Sequence, residues 1–158
     1  MPTPPRASAV TFHNVAHSIL LVDDDADTRA LLGEYLAGHG FVVHAARDGR
    51  HALQLLAHLA TPDLILLDYM MPVMSGSQFL ARKRRNPRLR CIPVVMLSAW
   101  SRQWSGARLD AVEVLSKPVD LDRLIALVRR ICAASGAIRI PARATDRPPR
   151  LPRAIAAR

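Results

Sequence analysis

Pro62-Asp63-Leu64-Ile65-Leu66-Leu67-Asp68-Tyr69-Met70-Met71-Pro72 decides the fold. Four apolar residues in a row end at a lone carboxylate, Asp68, and prolines bound the stretch on both sides. An apolar run of strand length without polar alternation reads as a strand covered on both faces, the habit of parallel sheets. Similar runs occur at Ser18–Val22, 41–45, 93–97 and 112–115. Between them lie segments with helical spacing. The first carries Ala30, Leu31, Leu32, Tyr35 and Leu36 as a stripe and stops at Gly38 and Gly40. Asp48 is placed to cap a second helix bearing Ala52, Leu53, Leu55, Leu56 and Leu59. A short third helix is predicted over 77–85, and Asp120 caps a last one whose Leu121, Leu124, Ile125, Val128 and Ile131 share a face. Strands alternating with helices predict an α/β fold with a parallel sheet between two helical layers.

Open sheets of this kind bind ligands beyond the carboxyl ends of their strands. Chemistry gathers there. The first strand ends in Asp23-Asp24-Asp25, the third at Asp68, the fourth at Ser98, and the fifth runs into Lys117-Pro118. Carboxylates brought within a few ångströms of one another resist joint ionisation unless a cation joins them. Magnesium suits the problem, since it takes oxygen ligands, keeps several waters and accepts one or two carboxylates plus substrate oxygens. Asp24 and Asp68 are the expected direct ligands, with Asp23 acting partly through water and the backbone carbonyl of Met70 adding an oxygen. A carboxylate beside such an ion can itself be the nucleophile and become an aspartyl-phosphate. Asp68 fits that role because no adjacent acid competes with it. Lys117 would neutralise the equatorial phosphoryl oxygens, and Ser98 would donate a hydroxyl to another.

These stretches, with Met74-Ser75-Gly76, Val94-Val95-Met96-Leu97-Ser98-Ala99 and Ser116-Lys117-Pro118, resemble a response-regulator receiver domain of the stand-alone, chemotaxis-receiver-like type. Five motifs in order at the ends of the right strands make the resemblance specific, and it covers residues 17–133. It implies a flavodoxin-like three-layer sandwich with strand order 2-1-3-4-5 and about five helices. It implies magnesium-dependent phosphorylation of Asp68 by a sensor histidine kinase or histidine phosphotransfer protein, with Asp23 and Asp24 as the acidic pair, Ser98 as the switch hydroxyl and Lys117 as the lysine. A cis Lys117-Pro118 bond is implied as well. The face formed by the fourth helix, fifth strand and fifth helix is the family's common interaction surface, and a possible homodimer contact. A switch aromatic lies three residues before the lysine in many receivers; here that residue is Val114. Met70 and Trp100, each two residues past a site residue, are expected to obstruct water and prolong the phosphorylated state.

The chain has 158 residues, 50% hydrophobic and 22% charged, enough for one domain that buries roughly two-thirds of its unfolded surface. Residues 17–134 are expected to form the domain, with 1–16 and the Arg- and Pro-rich stretch 135–158 outside it and disordered. Net charge is +9, yet 17–134 hold fifteen Lys and Arg against twelve Asp and Glu, so much of the excess sits at the C-terminal end. Nucleic-acid contact by that end is a minor alternative, because no helix-turn-helix, zinc finger or aromatic RNA-binding stripe is present. The basic run Arg82, Lys83, Arg84, Arg85, Arg88, Arg90 reads as a solvated helix end, with docking of an acidic partner or nucleic acid as the alternative. Two cysteines, Cys91 and Cys132, are too few for a disulfide framework and are expected to be buried small residues. No apolar run approaches a membrane span, no secretory leader is legible, and the bacterial cytoplasm is the expected compartment. A magnesium phosphatase of small molecules is disfavoured because Met70 stands where such enzymes carry a second acid. The chain is expected to be no enzyme beyond assisting its own phosphorylation and dephosphorylation. A degenerate receiver that binds partners without phosphorylation is the remaining alternative.

Overall fold

The strands are β1 (Ser18–Val22), β2 (Val42–Ala46), β3 (Leu64–Asp68), β4 (Val94–Ser98) and β5 (Glu113–Ser116), in a computed structural model that describes residues 16–99 and 113–136. All neighbours pair in parallel, in the order β2-β1-β3-β4-β5. The helices are α1 (Ala26–Gly38), α2 (Gly49–His58), α3 (Gly76–Arg85) and α4 (Leu121–Gly136). The expected five-stranded flavodoxin-like sandwich is what forms. Four helices stand among the described residues; the segment expected to hold a further short helix, with Trp100 and Trp104, lies outside them. So do residues 1–15 and 137–158. α4 runs through Ser135 to Gly136, two residues past the expected domain boundary.

Strand side chains alternate between two cores. Ile19, Leu21, Leu64, Leu66, Val95 and Leu97 pack with Leu32 and Leu36 of α1 and Leu124 and Val128 of α4. Leu20, Val22, Ile65, Leu67, Val94 and Met96 pack with Ala52 and Leu56 of α2 and Phe79 and Leu80 of α3. β3 and β4 are buried at every position, and each leucine so covered contributes about 1.5–3 kcal/mol of transfer free energy. The edge strand β2 leaves Val42 exposed.

Side-chain caps fix where each helix starts. Asp25 accepts from the Thr28 amide, Asp48 from His51 and Asp120 from Arg123. Ser75 and Gln78 form a reciprocal capping box at α3.

Three expectations are corrected. Leu31 is exposed, because Leu32 and Leu36, one turn apart, form the buried face of α1. Cys91 is exposed, since it lies in the turn after α3 between the buried Leu89 and Ile92, whereas Cys132 is buried as expected. Lys83 is buried at 2% exposure rather than solvated, and its amine donates to the Arg90 carbonyl at 3.0 Å. No helix among the described residues is long and apolar enough to cross a membrane.

Candidate functional site

The parallel register brings four strand ends to one edge. Asp23 follows β1 and ties it to β2 through its amide, which donates to the Ala46 carbonyl at 3.1 Å. Asp68 is the last residue of β3, paired with Leu97 of β4. Ser98 ends β4 opposite Ser116, and its carbonyl accepts from the Lys117 amide at 3.0 Å. The Lys117-Pro118 bond is cis, as the resemblance implies.

Lys117 reaches from one side of this edge to the other. Its amine donates to Asp23 Oδ2 at 2.7 Å and lies 3.0 Å from Asp68 Oδ2. Asp24 joins them: one carboxylate oxygen from each of Asp23, Asp24 and Asp68 falls within 4.8 Å of the others. Asp23 is wholly buried and Asp68 nearly so, while Asp24 faces solvent. Asp25 takes no part in the nest, because its carboxylate caps α1; that hydrogen bond from Thr28 holds it below the ordinary carboxylate value.

The chain belongs to the response-regulator receiver domain family. The model of that family matches residues 19–129. An uncharacterised 14.6 kDa protein of Leptolyngbya boryana, from the region 3' of sodA1, is 38% identical over 119 residues, 73% of this chain and 90% of that protein. The transcriptional regulatory protein CpxR of Escherichia coli is 39% identical over 122 residues, 75% of this chain and 50% of that protein. The chemotaxis response regulator CheY4 of Vibrio cholerae superposes with a TM-score of 0.66 at 30% identity, covering 73% of this chain and 98% of that one. Several other curated relatives are longer, and the chain spans between 24% and 54% of their length.

Charges in this receiver's nest are unevenly balanced. Burial raises the Asp68 carboxyl above its ordinary value, the nearby Lys117 amine opposes this, and the like charge of Asp23 adds to it. Burial also pulls the Lys117 amine down, yet hydrogen bonds and charge from Asp23 and then Asp68 carry it above the ordinary lysine value. The two directions agree once the charges are counted: the amine sees two anions, whereas Asp68 shares one cation with a second anion. The donor set fits a hard divalent ion, being three carboxylate oxygens with a single ammonium between two of them.

Neighbouring loops hold the nest in place. A Cβ on Gly76 would lie 2.6 Å from the Asp68 carbonyl oxygen, so only glycine lets the start of α3 close on the end of β3. The Gly76 amide donates to Tyr69 and the Gly49 amide to Met74, which pins the β3–α3 loop to α2. Met71 and Met74 are buried beneath that loop, whereas Met70 and Val73 stand exposed on it. Val73 has φ of +67°, with the Met74 amide donating across it to the Pro72 carbonyl at 2.7 Å. Sequence reasoning missed Arg29, whose guanidinium donates to the Asp23 carbonyl at 2.7 Å. Its only signal was position, on the first turn or so of α1 past the acids.

Proposed function

We propose that this receiver is the phosphoacceptor of a two-component or phosphorelay system, with Asp68 as the residue phosphorylated. One observation carries the reading: the Lys117 amine lies within 3.0 Å of both Asp23 and Asp68 in a nest of three carboxylates at the strand ends. An oxygen of Asp68 attacks the phosphorus of a phosphohistidine on a sensor kinase or phosphotransfer protein. The P–N bond breaks as the P–O bond forms, and the released imidazole takes up a proton from water. Asp23, Asp24, Asp68 and the Met70 carbonyl would hold magnesium, which when bound offsets charge on the transferring oxygens. Lys117 keeps its amine at the acceptor oxygen throughout and is placed to hold an equatorial phosphoryl oxygen. Ser98, buried at the end of β4, donates its hydroxyl to another.

A phosphoryl dianion arriving beside Lys117 adds strong charge-assisted contacts, and partner binding changes with it. Val114 packs against the α2/α3 core and has no ring to swing, so the change runs through Ser98 and Lys117 themselves. Receiver domains are signalling modules rather than enzymes, and this one assists only its own phosphorylation and dephosphorylation. We place it in the bacterial cytoplasm, where both described cysteines stay free thiols. The downstream partner is a protein, and the β5/α4 face is the homodimer candidate. The degenerate-receiver alternative loses support from the complete acid, hydroxyl and lysine set.

Incubation with acetyl phosphate and magnesium, read by intact mass, tests the assignment. The native protein is expected to gain one phosphoryl group and Asp68→Asn none. No gain in the native protein, or the same gain in both, overturns it.

A further inference from the structure

Exposed acids are confined to one side of this domain, whereas exposed arginines, among them Arg123, Arg129 and Arg130 of α4, occur on both. Asp24, Asp25, Asp27, Glu34, Asp120 and Asp122 are the exposed acids among the described residues, and all lie on α1, α4 or the turns leading into them. From Gly49 to Ala99 the only two carboxylates, Asp63 and Asp68, are buried, and the exposed charges are six arginines. One is Arg50 on α2; the others are Arg82, Arg84, Arg85, Arg88 and Arg90 on α3 and the turn after it. Arg82, Arg85, Arg88 and Arg90 have no ion-pair partner among the described residues.

The turn holding Arg88 and Arg90 is built, not loose. Buried Lys83 donates to the Arg90 carbonyl, Asn86 Oδ1 accepts from the Arg88 amide, and Leu89 and Ile92 anchor the turn in the core. Cations at a helix C-terminus stabilise the helix, which accounts for Arg82 and Arg85. That effect does not account for Arg88, Arg90 or a buried lysine holding them. Arg88 borders a cleft of about 340 Å³ between the ends of α2 and α3, and a cavity of about 500 Å³ with Pro62, Asp63, Ile92 and Pro93. The ridge therefore lies at the amino-terminal edge of the sheet, opposite the carboxylate nest.

We propose that this arginine ridge binds the phosphate backbone of duplex nucleic acid without sequence preference. Protein partners are recognised through arginine set among apolar and aromatic anchors. Among the described residues the large exposed apolar ones are Leu31, Val42, Met70 and Val73, none of them on α3 or its following turn. The ridge offers charge alone, in guanidinium groups whose planar fork matches phosphate oxygens. Nothing on it is shaped to enter a groove, so binding is electrostatic and follows counterion release.

The test is anisotropy of a labelled duplex of roughly 20 bp with the full chain, titrated across a salt series. Replacing Arg82, Arg85, Arg88 and Arg90 by Ala together should make the slope of log K against log salt shallower by about 3 to 4. Affinity at low salt should fall more than tenfold. Because the C-terminal arginines remain in both proteins, the difference isolates the ridge. If the quadruple variant fails to fold by circular dichroism, each single variant should lower the slope by about 0.9. Unchanged slope and affinity overturn the proposal. So does tighter binding to polyglutamate, which would mark an acidic protein partner, or to phosphatidylglycerol vesicles, which would mark a membrane. None of these readouts depends on Asp68.

Discussion

Lys117→Met removes the one cation that pairs with the nest's carboxylates among the described residues of the metal-free protein. The amine sits 2.7 Å from Asp23 and 3.0 Å from Asp68, and its side chain is 25% exposed. Without it, Asp23 and Asp68 face one another with carboxylate oxygens within 4.8 Å, a repulsion of about 3.5 kcal/mol at an effective dielectric constant near 20. Breaking a fully buried pair costs about 3–5 kcal/mol, and water around the partly exposed amine reduces this to about 2–3 kcal/mol. Urea unfolding in EDTA at pH 7 should show that loss. Magnesium should then recover part of it, because the variant's nest lacks the competing charge. Tenfold tighter binding would recover about 1.4 kcal/mol at saturation. The pH dependence has a definite sign. The folded-state pKa of Lys117 lies above 10.5, so its stabilisation is fully present below that value and is lost as pH rises through the folded pKa. The gap between native and variant proteins should stay constant near neutrality and close only above about pH 10.5. An equal loss with and without magnesium, or a gap that closes near pH 7, refutes the electrostatic account.

Three further outcomes follow from the same geometry. Burial raises the Asp68 pKa, so its ionised form costs stability above that pKa; metal-free Asp68→Asn should be more stable at pH 7, with the advantage fading as pH falls through the raised value toward 3.8, as urea midpoints will show. Val73 carries a β-branched side chain at φ +67° while 66% exposed, so Val73→Gly should relieve strain at little loss of packing and stabilise by about 1 kcal/mol net in the same assay. Gly76→Ala forces α3 off the Asp68 carbonyl, and should cost about 1–3 kcal/mol and slow phosphoryl uptake from acetyl phosphate.

Most of the nest was legible because a parallel sheet turns sequence order into position. Asp23 and Lys117 are 94 residues apart, yet each follows an apolar run, and runs of that kind end at a common edge. Helix faces were less legible. Lys83 was hidden in a run of cations, although Gly76, Phe79, Leu80 and Lys83 recur at three- and four-residue steps and share the buried face of α3. What the spacing did not contain was the Arg90 carbonyl that satisfies the buried amine, which arrives only when the chain turns back. Cys91 falls in that turn, where no periodicity governs exposure. Leu31 and Leu32 were indistinguishable by type; packing chose Leu32 because Leu36 lies one turn on.

The hydrogen bonds around the two buried acids separate their roles in a way that residue type does not. Every polar atom of Asp23 is engaged: its amide donates to Ala46, its carbonyl accepts from Arg29, Oδ1 accepts from the Asp25 amide at 2.9 Å, and Oδ2 from Lys117. A carboxylate held on both oxygens is a poor nucleophile, since turning toward phosphorus would break bonds already made. Asp68 is held more loosely. Among the described residues its Oδ1 accepts only a long bond of 3.3 Å from the Met70 amide, and its Oδ2 faces an amine already bonded more closely to Asp23. Burial adds to the contrast, because it raises the free energy of the Asp68 carboxylate, the form that attacks phosphorus to give an acyl phosphate. Position at the strand ends put both acids in the site; the unequal grip on their oxygens supports the proposal that Asp68 is the phosphoacceptor and Asp23 a fixed wall beside it.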